Sequence, residues 1–393
     1  MKKPAILGGP IPETVVPISQ PTLPDFERYA TELREVFASR QITNGKWVER
    51  LERTAAERLG VPEVVALSSA TSGLILVAKL LGIRGTVLLP AFTFPATLHI
   101  LLWNGLAPRL VDCDPETFNL DPDDVARRLD ETVSALVPVY IFGNAPDWGR
   151  LEPLLESRNL RSFSDAAHAL GSRLGDRHAG GFGDAEVFSL APTKVTVSGE
   201  GGLVATRNRD LAAALRVARN YGNPGDYDCV TIGLNARQSE LHALLGFLSI
   251  ERTEEHVAAR ERIVERYREG LHEIPGIGFQ KIAPDCRSTH NYFAILVEPE
   301  PFGLTNRQLK RALEADRIQS RIYFHPPLHR QSHLPEMEGL QADLPNTDRV
   351  CARVLCLPLT SHQRDEETDR VIETIRAIQE SAPAVERALD GDA

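Results

Sequence analysis

Between residues 86 and 207, short apolar runs recur with helix-like stretches between them, and this alternation limits the fold more than any other feature of the chain. TVLLP (86–90), PRLVDCD (108–114), VSALVPVYIFG (133–143), RSFSDA (161–166), AEVFSLA (185–191) and GLVATR (202–207) have the length and side chains of strands. Helical spacing predicts helices at 95–104, 121–130, 149–158 and 208–220. Strands that are apolar on nearly every residue must be covered on both faces, which implies an α/β fold with a mostly parallel sheet between helices. Ligands in such sheets bind beyond the carboxyl ends of the strands.

Several residues that carry chemistry fall at those ends. The 185–191 run delivers Ser189, and Lys194 follows in a loop that closes on the turn Ser198–Gly202. Lysine titrates near ~10.4 and is ordinarily a protonated, non-nucleophilic ammonium. In a desolvated or cationic pocket its amine can condense with a carbonyl cofactor; a plain surface-loop lysine is the other reading. VVALSSATSGLILVAKLLG (64–82) leads from a β-branched run through small hydroxyl residues into an apolar helix. Free backbone N–H groups at such a helix start can cradle a phosphate at Ser69, Ala70 and Thr71, or Ser69 can be a simple N-cap. Phe92 and Phe94 follow another strand, as core or as a stacking surface for a planar ligand. Asp165 ends a strand, and His168 lies three residues on.

The 393 residues are long enough for two domains. A net charge of −10, with no basic run, argues against nucleic acid or an acidic membrane as partner. The five cysteines fall at irregular spacings without a CxxC, so neither a disulfide framework nor a zinc site is expected. His325 and His329 are four apart, but Pro326 and Pro327 exclude the helix that would make them a metal pair. No signal-like apolar stretch opens the chain and none approaches the ~18 residues of a membrane span. A cytoplasmic protein with no bound metal is the expectation.

SLAPTK (189–194) with SGEGG (198–202), SDAAHALG (164–171) and GLNARQSELHALLG (233–246) stand in one order and spacing. From about residue 40 to 362 the chain thereby resembles the DegT/DnrJ/EryC1/StrS family of sugar aminotransferases, which depend on pyridoxal 5′-phosphate. The resemblance implies transferase fold type I, with a seven-stranded sheet and a smaller C-terminal α+β domain. It implies that Lys194 binds the cofactor covalently and later moves protons, and that Asp165 faces the pyridine nitrogen and keeps it charged. Ser69, Ala70, Thr71 and Ser189 would hold the cofactor, Phe94 would stack on its ring and His168 would reach its hydroxyl. Asn235 would cross to the phosphate in a neighbouring subunit of a homodimer, and Arg237 and His329 would face substrate. The family usually has glycine at Ala70 and aromatics at Leu234 and Ala236, so loop geometry and packing there are expected to differ.

The implied reaction moves an amino group from L-glutamate or L-glutamine, through pyridoxamine phosphate, to a keto-sugar that is nucleotide-linked. The alternatives are a keto-cyclitol acceptor, or a cofactor-binding regulatory protein without turnover. Related dehydratases carry histidine in place of the lysine, which Lys194 counts against.

By residue ranges, 1–24 reads as a proline-rich extended arm, 25–255 as the large cofactor-binding domain and 256–393 as the small domain. Helices are expected at 24–40 and 46–59, with Asn44 and Gly45 between them either capping a helix or approaching the site. One or two long helices follow Ser239. In the small domain, strands are expected at 291–299, 320–329 and 353–360, with helices after Thr305 and over 364–380. The final stretch, 381–393, is expected to fray.

Overall fold

A computed structural model describes residues 3–334 and 336–391. The expected strands join one seven-stranded sheet, in the order Glu63–Leu67, Gly202–Thr206, Ala185–Ser189, Arg161–Asp165, Val133–Leu136, Thr86–Pro90, Ala107–Val111. Gly202–Thr206 is antiparallel to both its neighbours, and the remaining pairs are parallel. All strands but this one therefore end on the same edge, where Ser69, Phe94, Asp165 and Ser189 emerge. Ala185–Ser189 and Gly202–Thr206 are buried at every position, as continuous apolar runs require.

Parallel neighbours need crossovers, and Ala70–Leu80, Pro95–Trp103 and Trp148–Arg158 lie between successive strands. Leu76, Val77, Leu98, Leu101 and Leu215 fill one apolar layer against the sheet. Trp47, Leu51, Leu244 and Leu248 join another apolar cluster with the sheet residues Ala66, Phe188 and Leu203. The Lys46–Leu59 helix has no side-chain cap of its own. The buried carboxylate of Glu240 instead accepts from the N–H groups of Gly45, Trp47 and Val48 at 2.9–3.0 Å, satisfying free donors and complementing the helix dipole. Arg40, in the left-handed conformation, caps the preceding helix, and neither Asn44 nor Gly45 lines the main cavity.

Towards the C-terminus, Ile277–Phe279, Phe293–Val297 and Val354–Leu357 form an antiparallel sheet. Helices Thr253–Leu271, Asn306–Ala315 and Asp365–Glu380 pack on it through Tyr267, Leu309, Val371 and Ile375. Thr305 opens its helix with a full capping box to Gln308. The N-terminal stretch carries a short turn, Ala5–Leu7, and Val16 pairs with Ile318 in the same core.

Two expectations fail here. Residues 320–329 are not a strand: only Arg321 pairs, with Cys356, and a short turn forms at Leu328–Arg330. Pro326 and Pro327 lack the N–H groups that a ladder needs. The tail does not fray over its described part. Ala382–Gly391 is a helix whose Ala382, Val385 and Leu389 are buried against the C-terminal core, while residues 392 and 393 lie outside the described part. Their spacing of three and four puts one stripe on the core. Leu389→Ala is expected to cost about 2–5 kcal/mol and to lower the melting temperature in a thermal scan. A variant melting with the wild type would return this segment to a frayed end.

Candidate active site

The strand ends surround a cavity of about 360 Å³, within the range of small-molecule sites. Ser69, Ala70, Thr71, Phe94, Asp165, His168, Ser189 and Lys194 all line it, although the chain separates the first from the last by more than a hundred residues. Asn235, Arg237 and His329 do not line it in this chain. Asn235 is exposed and pairs with Asn220. Arg237 donates to Asn220 Oδ1 at 2.6 Å and lies over the Tyr221 ring. His329 is hydrogen-bonded to Asp348 at 3.0 Å.

Ser69 caps the Ala70–Leu80 helix, accepting from the Ser72 N–H at 3.1 Å. Ala70 is the first helical residue and has no positive φ, so the methyl in place of glycine fits without strain. The tight approach occurs at Gly202 instead. A Cβ there would stand 2.4 Å from the Ala70 nitrogen and 2.5 Å from the Ser69 carbonyl carbon. The last glycine of SGEGG thus lets the lysine loop press against the start of this helix.

Phe92 is fully buried among Phe118, Phe142 and Phe324, whereas Phe94 is 58 % exposed at the cavity. The two aromatics therefore divide core from site. Asp165 is buried at the end of its strand. Thr97 Oγ1 donates to its Oδ2 at 2.7 Å, and the Ala167 N–H donates to Oδ1 at 3.1 Å. Burial pushes the Asp165 pKa above the usual carboxylate value, while these two donors and the Lys194 charge oppose that rise. Burial also lowers the Lys194 pKa to about 8, with the Asp165 charge resisting. Each group thus acts on the other across the cavity. His168 is driven well below its ordinary pKa, first by burial and then by Lys194, so its imidazole is neutral at pH 7. Its ring lies 6.2 Å from Phe142 in a stack and 5.3 Å from Tyr292 edge-on.

Sequence reasoning missed Thr97, Thr193, Tyr292, Tyr323 and Phe324. The last three reach the cavity from the C-terminal region, with Tyr292 and Tyr323 rings 4.9 Å apart. Nothing local in NYFAILV or RIYFHPP marks them. Thr97 left one trace, a hydroxyl in the mostly apolar helix PATLHILLW.

These residues fit pyridoxal phosphate. A partly buried lysine of lowered pKa faces a buried carboxylate, an exposed aromatic ring lines the same cavity, and a helix start offers N–H groups under a glycine that must stay bare. Residues 25–376 match the model of the DegT/DnrJ/EryC1/StrS aminotransferase family. A dTDP-4-amino-4,6-dideoxy-D-glucose transaminase of Shigella dysenteriae is 31 % identical over 92 % of this chain and 98 % of its own. GDP-perosamine synthase of Caulobacter vibrioides is 32 % identical over 84 % of this chain and 89 % of its own. The crystal structure of DesI, determined in the presence of its TDP-sugar product, superimposes with a TM-score of 0.91 at 33 % identity, covering 100 % of both chains. The chain belongs to the DegT/DnrJ/EryC1/StrS family and is a pyridoxal-phosphate-dependent aminotransferase of fold type I.

Proposed function

We propose that this aminotransferase carries an amino group from L-glutamate or L-glutamine to a nucleotide-linked keto-sugar. The observation that supports it most is the meeting of Lys194 and Asp165 in one cavity, in a chain whose relatives make aminated nucleotide sugars. Pyridoxal phosphate, when bound, supplies an electron sink that acidifies the α-hydrogen of the amino donor. Lys194 would anchor it, and the freed Nζ would take the proton from the donor's α-carbon and deliver it to the cofactor carbon on the other side of the transferred nitrogen. The depressed pKa of Lys194 supports that role, because a base working near neutral pH must be partly unprotonated. Asp165 supplies the negative charge that keeps a pyridine nitrogen protonated. Ser69, Ala70, Thr71 and Ser189 would hold the phosphate end, Phe94 would cover the ring, and neutral His168 would hydrogen-bond the ring hydroxyl.

The homodimer follows from the same reading. The 221–237 segment exposes Tyr221, Tyr227, Val230 and Ile232 at 51 %, 94 %, 68 % and 70 %, apolar surface of the kind that a partner covers. In a dimer this segment carries Asn235 and Arg237 to the partner's cavity. No helix among the described residues is long and apolar enough to cross a membrane, and the described cysteines are free, which supports a cytoplasmic setting.

The two half-reactions test the proposal separately. The absorbance of the loaded enzyme is expected to bleach with glutamate or glutamine and to return on adding a dTDP- or GDP-linked keto-sugar. Return with a keto-cyclitol alone would reassign the acceptor, and a band indifferent to glutamate and glutamine would overturn the donor assignment.

A further inference from the structure

We propose that Thr97, with Thr93 behind it, is a positioning residue for the reaction: its hydroxyl holds the Asp165 carboxylate ionised and fixed at the cavity wall. The inference rests on the role given to Asp165 above. Thr97 sits in the first turn of the Pro95–Trp103 helix, two residues after Pro95 and three after Phe94. Its Oγ1 is 2.7 Å from Asp165 Oδ2 and 3.0 Å from Thr93 Oγ1. A hydroxyl has one proton to give. With Asp165 ionised, that of Thr97 goes to the carboxylate, Thr93 then donates to Thr97, and the two hydroxyls form a chain polarised towards the carboxylate. Each bond in such a chain strengthens the next.

A chain with this polarity stabilises the ionised form of Asp165 over the protonated one. A proton on Oδ2 would oppose the Thr97 hydrogen, and the chain would have to reverse or break. Thr93 and Thr97 are 1 % and 0 % exposed, so bulk water competes little for either bond. Oδ1 is engaged by the Ala167 N–H. Among the described residues Lys194 is the charged group whose field reaches Asp165, and neutral His168 is the other titratable group on the same turn. When Lys194 is neutral, the hydroxyl chain and the Ala167 N–H are what remain to favour the charge against burial. Residue choice agrees: on the buried face of this mostly apolar helix stands a β-branched hydroxyl residue of lower helix propensity.

The test uses full-length protein loaded with pyridoxal phosphate labelled with ¹⁵N in its ring. The ring-nitrogen chemical shift is followed against pH for the wild type, Thr97→Val, Thr97→Ser, Thr93→Val and Asp165→Asn. Valine keeps the threonine shape and removes the donor, whereas serine keeps the donor and loses the methyl. The ring nitrogen is expected to stay protonated to a lower pH limit in Thr97→Val than in the wild type, with turnover reduced about ten- to a hundredfold, by analogy with the outer hydrogen-bond partners of metal ligands. Thr97→Ser is expected to follow the wild type, and Thr93→Val to move the same way as Thr97→Val by less. If Thr97→Val does not fold, Thr93→Val decides. Wild-type titration in the folded threonine-to-valine variants, beside a displaced Asp165→Asn curve, overturns the Thr97 role and leaves Asp165 in place. A wild-type curve for Asp165→Asn as well overturns both.

Discussion

Lys194→Ala is expected to abolish transamination while the protein still folds and takes up pyridoxal phosphate without a covalent bond. The lysine is anchor and proton carrier together, so its removal costs both functions, and the loss in turnover should reach several orders of magnitude. A pH signature accompanies it. Burial disfavours the ammonium and moves its pKa from 10.5 down to about 8. At pH 7 about one such lysine in ten is then neutral, against about three in ten thousand for an unperturbed one. The rate of cofactor attachment to the wild-type apoprotein should therefore climb with pH and level off above about 8. Stopped-flow absorbance checks this. Lys194→Ala should show no such rise, and wild-type activity in that variant would remove Lys194 from the mechanism.

Asp165→Asn is expected to lower turnover by about a thousandfold, which is ~4 kcal/mol of barrier. Asparagine keeps the shape of the side chain and can still accept from Thr97, but it brings no charge to a pyridine nitrogen. The structure gives a reason for a cost of this size. Asp165 is buried, and an ionised carboxylate persists there only with donors on its oxygens and a cation nearby. An electrostatic effect in such a water-poor site is far stronger than in water. Steady-state kinetics with a saturating donor measures the loss, and one below about tenfold would mean that the charge at 165 is not what activates the cofactor.

The parts of the fold and site that could be read in the sequence are those written in local pattern. Continuous apolar runs identified the sheet, because burial on both faces leaves no polar alternation to confuse the period. The motif around Lys194 and the strand end at Asp165 place both groups at one sheet edge. Phe92 and Phe94 look alike in sequence, and only the packing of Phe92 among three other rings separates them. Tyr292 and Tyr323 were illegible for a related reason. They meet the cavity because the C-terminal region folds back on the large sheet, a contact across more than a hundred residues that no periodicity records. The misread strand at 320–329 came from its aliphatic and aromatic residues, which outweighed two prolines that could not donate to a ladder. The closing helix was misread because its alanine- and charge-rich sequence resembles a frayed tail, and its stability comes from docking Val385 and Leu389.

The central claim is that the ε-amine of Lys194 is the group that takes the cofactor. Borohydride reduction of the loaded wild-type enzyme, followed by proteolysis and mass spectrometry, reads it directly. The account predicts that the cofactor's mass is found on the peptide containing Lys194 and on no other. Label on a different lysine, or none on any peptide, would contradict it.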